Sequence, residues 1–187
     1  RKLRILFSRT SIPEASTSLH GLFYEKALRR NHELMTYGPA LPEFMHERLG
    51  FERIGKTVDA DIPYFSMDLP DVLRLLPWKP DLFLWTDNIY WFLMNGLKEL
   101  PCPTACFFLD PQYLRELKIE MAKHFDYVFV SQKTEVERYQ REGVRNVYWL
   151  THACDRDTHS KKTGNKIYDI TFVGTINAKR ESMLSSL

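Results

Sequence analysis

The strongest constraint on the fold of this chain is a regular alternation of short apolar runs with helical patterns. Six runs rich in branched and aromatic residues are typical of buried strands: Leu3–Phe7, Asp81–Trp85, Thr104–Leu109, Tyr127–Val130, Val147–Leu150 and Ile170–Val173. Apolar residues at helical spacing separate several of them, at Leu19/Leu22/Phe23/Ala27, Ile89/Phe92/Leu93/Leu97, Leu114/Leu117/Met121 and Val136/Tyr139. This order predicts an α/β fold, a Rossmann-like and mainly parallel sheet with helices on both faces.

Helix-end signals fit the same interpretation. The segment Thr134–Glu137 has the pattern of a capping box, and Gly143 stands where that helix should end. Asp110 followed by Pro111 is typical of an N-cap and the first helical residue. The stretch from Tyr37 to Pro80 contains six prolines and predicts short elements with long connections.

Composition narrows the class of protein. The 187 residues are 44% hydrophobic, which is enough for one domain with a sizeable core. A net charge of +2 gives no field that would select nucleic acid. No apolar run approaches the ~20 residues of a membrane-spanning helix, and there is no secretory leader, which predicts a cytoplasmic protein without an integral membrane segment. Three cysteines without C-x-x-C spacing indicate neither a disulfide framework nor a zinc site.

Residues 50–57, GFERIGKT, match the phosphate-loop pattern G-x-x-x-x-G-K-[ST]. Such a loop binds phosphate only between a buried strand and a helix. The residues before Gly50 have helical spacing, whereas two aspartates and Pro63 follow Thr57. We therefore expect a surface connection with a solvated Lys56 and with Gly50 as a helix C-cap. A phosphate-loop nucleotide hydrolase stays open as an alternative.

Polar residues follow most of the predicted strands. In an open parallel sheet, ligands bind beyond the carboxyl ends of the strands, which makes these positions the candidate site. They are Ser8, Arg9, Thr10 and Ser11 after the first run, then Thr86, Asp87 and Asn88, then Asp110, then Ser131, and finally Thr151 and His152. Asp87, Asp110 and Ser131 are also placed to cap the next helix, which needs no ligand, and capping is favoured for them.

The first of these loops, residues 8–21, is long and rich in hydroxyl groups, which suits a polar ligand. It lacks G-x-G-x-x-G, and this excludes a dinucleotide fingerprint of the dehydrogenase kind. His20 is a candidate site residue, with a surface or packing role as the alternative. The triplets Asp59–Asp61 and Asp155–Asp157 have the D-x-D pattern of some metal-dependent sugar transferases, but neither follows a convincing strand, and no metal is assigned.

The last part of the sequence predicts a second domain. Tyr168–Thr175 has the pattern of a new strand ending in glycine, and Asn177–Arg180 is typical of a helix start. The polar stretch before them has the composition of an inter-domain linker. The predicted organisation is a Rossmann-like domain over 1–156, a linker over 157–167 and the opening of a nucleotide-sugar-binding domain over 168–187.

The order of these motifs resembles the spore-maturation-protein (CgeB-like) glycosyltransferases. The segments that carry the resemblance are 125–131, 135–139, 147–155 and 168–175, with Arg180 beyond them. The opening strand, loop and helix, as far as the turn over residues 30–34, are similar too. The resemblance implies the GT-B fold, in which two Rossmann-like domains face each other, the first engaging the acceptor and the second the nucleotide-sugar donor.

On this resemblance, Gly174, Thr175 and Arg180 face the donor diphosphate. A helix N-terminus with an arginine suits a diphosphate leaving group without a metal, and no cofactor is expected besides the nucleotide sugar. Ser8, Arg9, Thr10, Ser11, His20, Asp87, Ser131 and His152 are the acceptor-side candidates. Many GT-B enzymes have a histidine where this chain has Asp110, which is a departure from their pattern. Asp110 is the catalytic candidate, orienting or deprotonating an acceptor hydroxyl, with helix capping as the favoured alternative.

The implied activity is transfer of a sugar from a nucleoside-diphosphate sugar to an unidentified sugar, protein or small-molecule acceptor. Residues 1–187 alone are expected to be catalytically incomplete, since the rest of the donor domain would lie beyond them. The alternative from another class is a non-enzymatic α/β ligand-binding or regulatory module. In that case residues 168–187 would be an ordinary last strand and helix.

Overall fold

The computed structural model describes residues 1–9, 12–13, 20–39, 43–48, 57–63, 68–87, 95–160, 164–174 and 176–186. Six strands form one parallel sheet: β1 (Arg4–Ser8), β3 (Glu33–Tyr37), β5 (Leu82–Thr86), β6 (Thr104–Phe108), β7 (Tyr127–Val130) and β8 (Val147–Trp149). Two short strands, β2 (Ile12–Pro13) and β4 (Thr57–Val58), form a separate antiparallel pair. The α/β fold class predicted from the sequence is confirmed.

The helices of the described part are α1 (His20–Arg29), α2 (Glu43–Arg48), α3 (Leu69–Leu75), α4 (Arg115–Ala122), α5 (Lys133–Arg141) and α6 (Ala178–Leu184), with a 3-10 turn at Leu97–Glu99. Helix patterns at 19–27, 114–121 and 136–139 correspond to α1, α4 and α5. The pattern at 89–97 falls mostly outside the described residues. The elements β3 and α3 lie in or beside the proline-rich stretch, where the sequence pattern did not reveal them.

The sheet order is β3-β1-β5-β6-β7-β8, so the direction in which strands are added reverses beside β1. Helix α1 packs with Tyr24 and Leu28 against one face of the sheet, on Ile5 and Phe7. Helices α3, α4 and α5 cover the other face, where Trp85 lies in the larger core. The reversal places a topological switch point between the carboxyl ends of β1 and β5, where ligands bind in open α/β sheets.

Gly143 ends α5 as predicted. Its φ is +92°, a left-handed conformation that favours glycine. The amide of Val144 donates to the carbonyl of Tyr139, and the amide of Gly143 donates to that of Gln140. These two bonds form a Schellman motif, which satisfies carbonyls that have no partner within the helix.

Two other helix-end predictions are wrong. Helix α5 begins at Lys133 with Gln132 as its N-cap, which leaves Thr134 inside the first turn and not at a capping position. Helix α4 begins at Arg115, after a turn over residues 110–114, and not at Pro111. One long-range contact joins the starts of the two helices: Arg115 donates two hydrogen bonds, of 2.8 and 3.0 Å, to the carboxylate of Glu135, 20 residues away. Local sequence contains no information about such partners.

The buried face of α4 also differs from the predicted one. Leu114 and Leu117 are exposed, and the residues that α4 buries are Lys118, Ile119, Met121 and Ala122. The apolar spacing at 114, 117 and 121 therefore identified the helix but not its orientation. The face that packs on the sheet includes a lysine, because a buried aspartate lies opposite it.

Asp61, in the segment after β4, joins helix α1 to strand β3. Its carboxylate accepts hydrogen bonds from the amide and the hydroxyl of Thr36, at 2.7 and 2.8 Å, and from Arg29 at 2.7 Å. Burial acts against the charged form, but these hydrogen bonds outweigh it and lower the pKa of the Asp61 carboxyl. Asp61, the second aspartate of the Asp59–Asp61 triplet, therefore has a structural role.

We expect Asp61→Asn to lower the free energy of unfolding by about 1 kcal/mol at pH 7, a value reduced because the carboxylate is partly exposed. A lowered carboxyl pKa stabilises the fold above the unfolded-state pKa of about 4, and this contribution is lost as pH falls through the folded value. Urea unfolding of both proteins at pH 7 and near pH 3 should show the difference narrowing in acid. Asp71→Asn, at an exposed ion pair, is the control. An equal difference at both pH values would contradict this account.

The chain divides into two compact units, Arg1–Ala153 and Cys154–Leu187. In the second unit α6 begins after Asn177, whose side chain accepts a hydrogen bond from the amide of Arg180, as the sequence pattern predicted. The predicted strand Ile170–Val173 is wrong for this structure: the segment has no strand partner, and Val173 is 97% exposed. A strand needs a neighbour to pair with, and no strand neighbour lies within the described part of this unit.

The elements that flank residues 50–57 are the reverse of a phosphate loop. Helix α2 precedes this stretch and the short strand β4 begins at Thr57, whereas a phosphate loop needs a strand before it and a helix after it. Gly50, Lys56 and the loop itself lie outside the described residues. Over the residues that the structure describes, none of the helices is long and apolar enough to cross a membrane.

Candidate functional site

Four predicted site residues lie at the same edge of the sheet. Ser8 ends β1, Asp87 follows β5, Asp110 comes two residues after β6, and Ser131 follows β7. These four strands are neighbours in the sheet and run parallel, so their carboxyl ends meet along one edge. The placement agrees with the sequence prediction. A role of these residues in binding stays a prediction.

A buried ion pair occupies the centre of this edge. The Nζ atom of Lys118 lies 2.5 Å from Oδ2 of Asp87, and the two side chains are 1% and 9% exposed. Lys118 also donates to the carbonyl of Asp110 at 2.7 Å and lies over the ring of Phe108. Burial raises the pKa of the Asp87 carboxyl, although the hydrogen bond from Lys118 opposes that shift. Because both groups are removed from water, each charge is stable in the interior only while the other is paired with it.

Two polar atoms beside the switch point have no hydrogen-bond partner in the described part of the chain. They are Oγ of Ser8 and Nε1 of Trp85, and the two residues are register partners on β1 and β5. Buried polar atoms without a partner cost free energy and are rare in folded proteins. Their position at the β1–β5 junction makes this part of the edge the first candidate for ligand binding.

Arg9 directly follows β1 and is used by the fold. It is 2% exposed, and its Nε atom forms an ion pair with Glu25. Its two terminal nitrogens donate to the carbonyls of Val58 and Asp59, at 3.0 and 2.7 Å. The guanidinium therefore joins α1 to the last residue of β4 and the residue after it. Sequence reasoning placed Arg9 among the ligand-binding candidates because it follows the first apolar run, and it could not identify partners that lie 16 to 50 residues away.

The remaining acceptor-side candidates are less closely connected to the edge. His152 is exposed, and its ring lies 6.3 Å from that of Phe107. Thr10 and Ser11 lie outside the described residues, and for His20 only the backbone, at the start of α1, is described. Ser131 donates its hydroxyl to the carbonyl of Leu109 and does not cap α5, which has Gln132 as its N-cap.

On the proposed donor side, the structure brings two of the three predicted residues together. A Cβ atom added to Gly174 would lie 3.6 Å from a terminal nitrogen of Arg180. The same guanidinium lies over the ring of Phe172, 5.7 Å from its centroid. Thr175 lies outside the described residues. Arg180 thus lies next to the glycine that ends the apolar segment, within the second unit.

No group of three or more potential metal ligands occurs among the described residues. Cys102, Cys106 and Cys154 form no disulfide. Cys106 is fully buried in β6, and burial raises the pKa of its thiol well above the usual value. A protonated, inaccessible thiol is a poor nucleophile, which gives Cys106 a packing role.

Comparison of the sequence with protein-family models and with curated proteins found no match. A functional proposal therefore depends on the geometry of the edge and on the sequence resemblance.

Sequence reasoning missed Lys118, the residue that joins Asp87 to the loop after β6. A signal was present: Lys118 lies three residues before Met121 and four before Ala122, on the face that α4 buries. A lysine among buried apolar positions implies a buried carboxylate opposite it. The sequence does not reveal which carboxylate, since Asp87 is 31 residues away.

Proposed function

We propose that the first unit is the acceptor-side domain of a GT-B glycosyltransferase, and that residues 168–187 belong to the part that binds a nucleoside-diphosphate sugar. The observation that carries the proposal is the alignment of Asp87, Lys118 and Asp110 along the carboxyl edge of a doubly wound parallel sheet. This edge is where open α/β sheets bind ligands, and the resemblance of the sequence to CgeB-like transferases supplies the reaction class.

In the proposed reaction, an acceptor hydroxyl attacks the anomeric carbon of the donor sugar, and the nucleoside diphosphate leaves. The hydroxyl loses its proton as the new bond forms, and a carboxylate within hydrogen-bond reach of the hydroxyl would accept it. Asp110 is exposed at the sheet edge and fits that role. Arg180 would stabilise the charge that develops on the diphosphate.

We expect Arg180→Ala to lower turnover of the full-length protein by about 30-fold, which corresponds to roughly 2 kcal/mol of transition-state stabilisation. Release of nucleoside diphosphate from a panel of UDP-, GDP- and dTDP-sugars measures it. Lys179→Ala is a matched control, because Lys179 is an exposed cation in the same turn of α6. Unchanged turnover in Arg180→Ala would contradict the donor-site assignment, and a panel without any turnover would contradict the proposed function.

A further inference from the structure

The loop after β6 is bound to the core through three consecutive carbonyl groups. Each accepts a hydrogen bond from a different buried side chain: Ser131 Oγ donates to Leu109, Lys118 Nζ donates to Asp110 at 2.7 Å, and the Tyr139 hydroxyl donates to Pro111 at 3.1 Å. The three donors come from the end of β7, from α4 and from α5. Side-chain donors to three successive carbonyls of a loop restrict its backbone far more than a turn requires.

The same loop contains the one non-glycine residue with positive φ in the described part of the chain. Leu114 has φ 50° and ψ 44°, a left-handed conformation that is unfavourable for a branched side chain. The neighbouring Arg115 is bound to the buried carboxylate of Glu135. Strained backbone of this kind persists only where surrounding contacts impose it, and it concentrates at functional sites.

Apart from the buried Pro111, the side chains of residues 110–114 are exposed to solvent while the backbone is anchored. Asp110 is exposed, and the ring of Tyr113 is 63% exposed. The amide of Tyr113 donates to the carbonyl of Asp110, so the two residues are the ends of one tight turn. A carboxylate and an aromatic ring are therefore displayed on a rigid backbone at the carboxyl edge of the sheet.

We propose that residues 110–114 form a preformed recognition loop for a carbohydrate acceptor, with Ser131, Lys118 and Tyr139 as its positioning residues. The inference rests on the proposed function and adds the class of acceptor to it. The Asp110 carboxylate accepts hydrogen bonds from sugar hydroxyls, and the Tyr113 ring packs against the apolar face of a sugar ring. Anchoring the backbone in advance lowers the ordering cost of binding.

Saturation-transfer NMR with the methyl glycosides of glucose, galactose and N-acetylglucosamine tests the ligand class. We expect the full-length protein to bind at least one of them, and Asp110→Asn and Tyr113→Ala each to weaken that binding tenfold or more. Tyr127→Ala is the control, because this exposed tyrosine is at the opposite, amino-terminal end of β7. No binding of any of the three glycosides, or binding unaffected by both substitutions, would overturn the inference.

Tyr139→Phe tests the positioning role, because it removes the hydroxyl and keeps the buried ring. We expect amide hydrogen exchange at residues 112–114 to accelerate about tenfold and sugar affinity to fall about fivefold, with cooperative unfolding retained. Tyr127→Phe should change neither quantity. Unchanged affinity in Tyr139→Phe would overturn the positioning role. Transfer to a non-carbohydrate acceptor would overturn the inference alone, whereas failure to turn over any nucleotide sugar would overturn the proposed function.

Discussion

Lys118→Met is expected to lower the free energy of unfolding by about 3–5 kcal/mol at pH 7. The substitution leaves the carboxylate of Asp87 buried without its cation and removes the donor to the Asp110 carbonyl. Because methionine keeps most of the side-chain volume, the decrease in unfolding free energy reports the unpaired Asp87 charge and not a cavity. Urea unfolding monitored by circular dichroism determines it.

The pH dependence of this loss separates the buried charge from other causes. Without Lys118, the pKa of the Asp87 carboxyl rises further above its unfolded value. A raised carboxyl pKa stabilises the fold below the unfolded-state value, and this stabilisation is lost as pH rises through the folded value. The difference in unfolding free energy between the wild-type protein and Lys118→Met should therefore be larger at pH 7.5 than at pH 4.5.

Two further variants complete the design. Lys123→Met, at the C-cap of the same helix, removes a lysine that pairs with the exposed Glu120 and should lower the free energy of unfolding by less than about 1 kcal/mol. The double variant Asp87→Asn/Lys118→Met should be more stable than Lys118→Met alone, because no charge is then left buried. Equal losses in Lys118→Met and Lys123→Met, or a deficit independent of pH, would show that the pair is not a buried charge pair in solution.

Gly38→Ala is expected to destabilise the protein by more than about 3 kcal/mol. Gly38 follows β3, and an added Cβ atom would lie 1.6 Å from the carbonyl oxygen of Arg9. Hydrogen bonds prevent an easy adjustment on either side: the Arg9 amide donates to Tyr37, and the Gly38 amide donates to Ile62. Relief of the clash would separate β1 from β3 at the candidate site.

Gly143→Ala is the matched control for this prediction. Gly143 has a positive φ, but an added Cβ atom would meet nothing within 4 Å. Its replacement by alanine should lower the free energy of unfolding by only about 1 kcal/mol, the cost of a left-handed backbone conformation for a residue with a Cβ atom. Thermal and urea unfolding of both variants give the comparison. If Gly38→Ala is no less stable than Gly143→Ala, the close approach of the two backbones does not exist in solution.

Several features of the site were predictable because they depend on residues close in sequence. The apolar runs gave the positions of β1, β5, β6, β7 and β8 within one or two residues. Parallel strands share one carboxyl edge, so Ser8, Asp87, Asp110 and Ser131 could be placed together without knowing any contact. Gly143 was predictable for the same reason, since a helix stop is decided within a few residues of the helix end.

The tertiary structure alone decided which charges are paired and which side chains face the core. Arg9 is bound by Glu25 and by carbonyls 49 and 50 residues away, and Lys118 by a carboxylate 31 residues away. Periodicity identified α4 but not its buried face, and Asp110 with Pro111 indicated a helix start where a strained turn lies. The physical reason is range: propensity, capping and alternation act over a few residues, whereas desolvation of a charge depends on everything that packs around it.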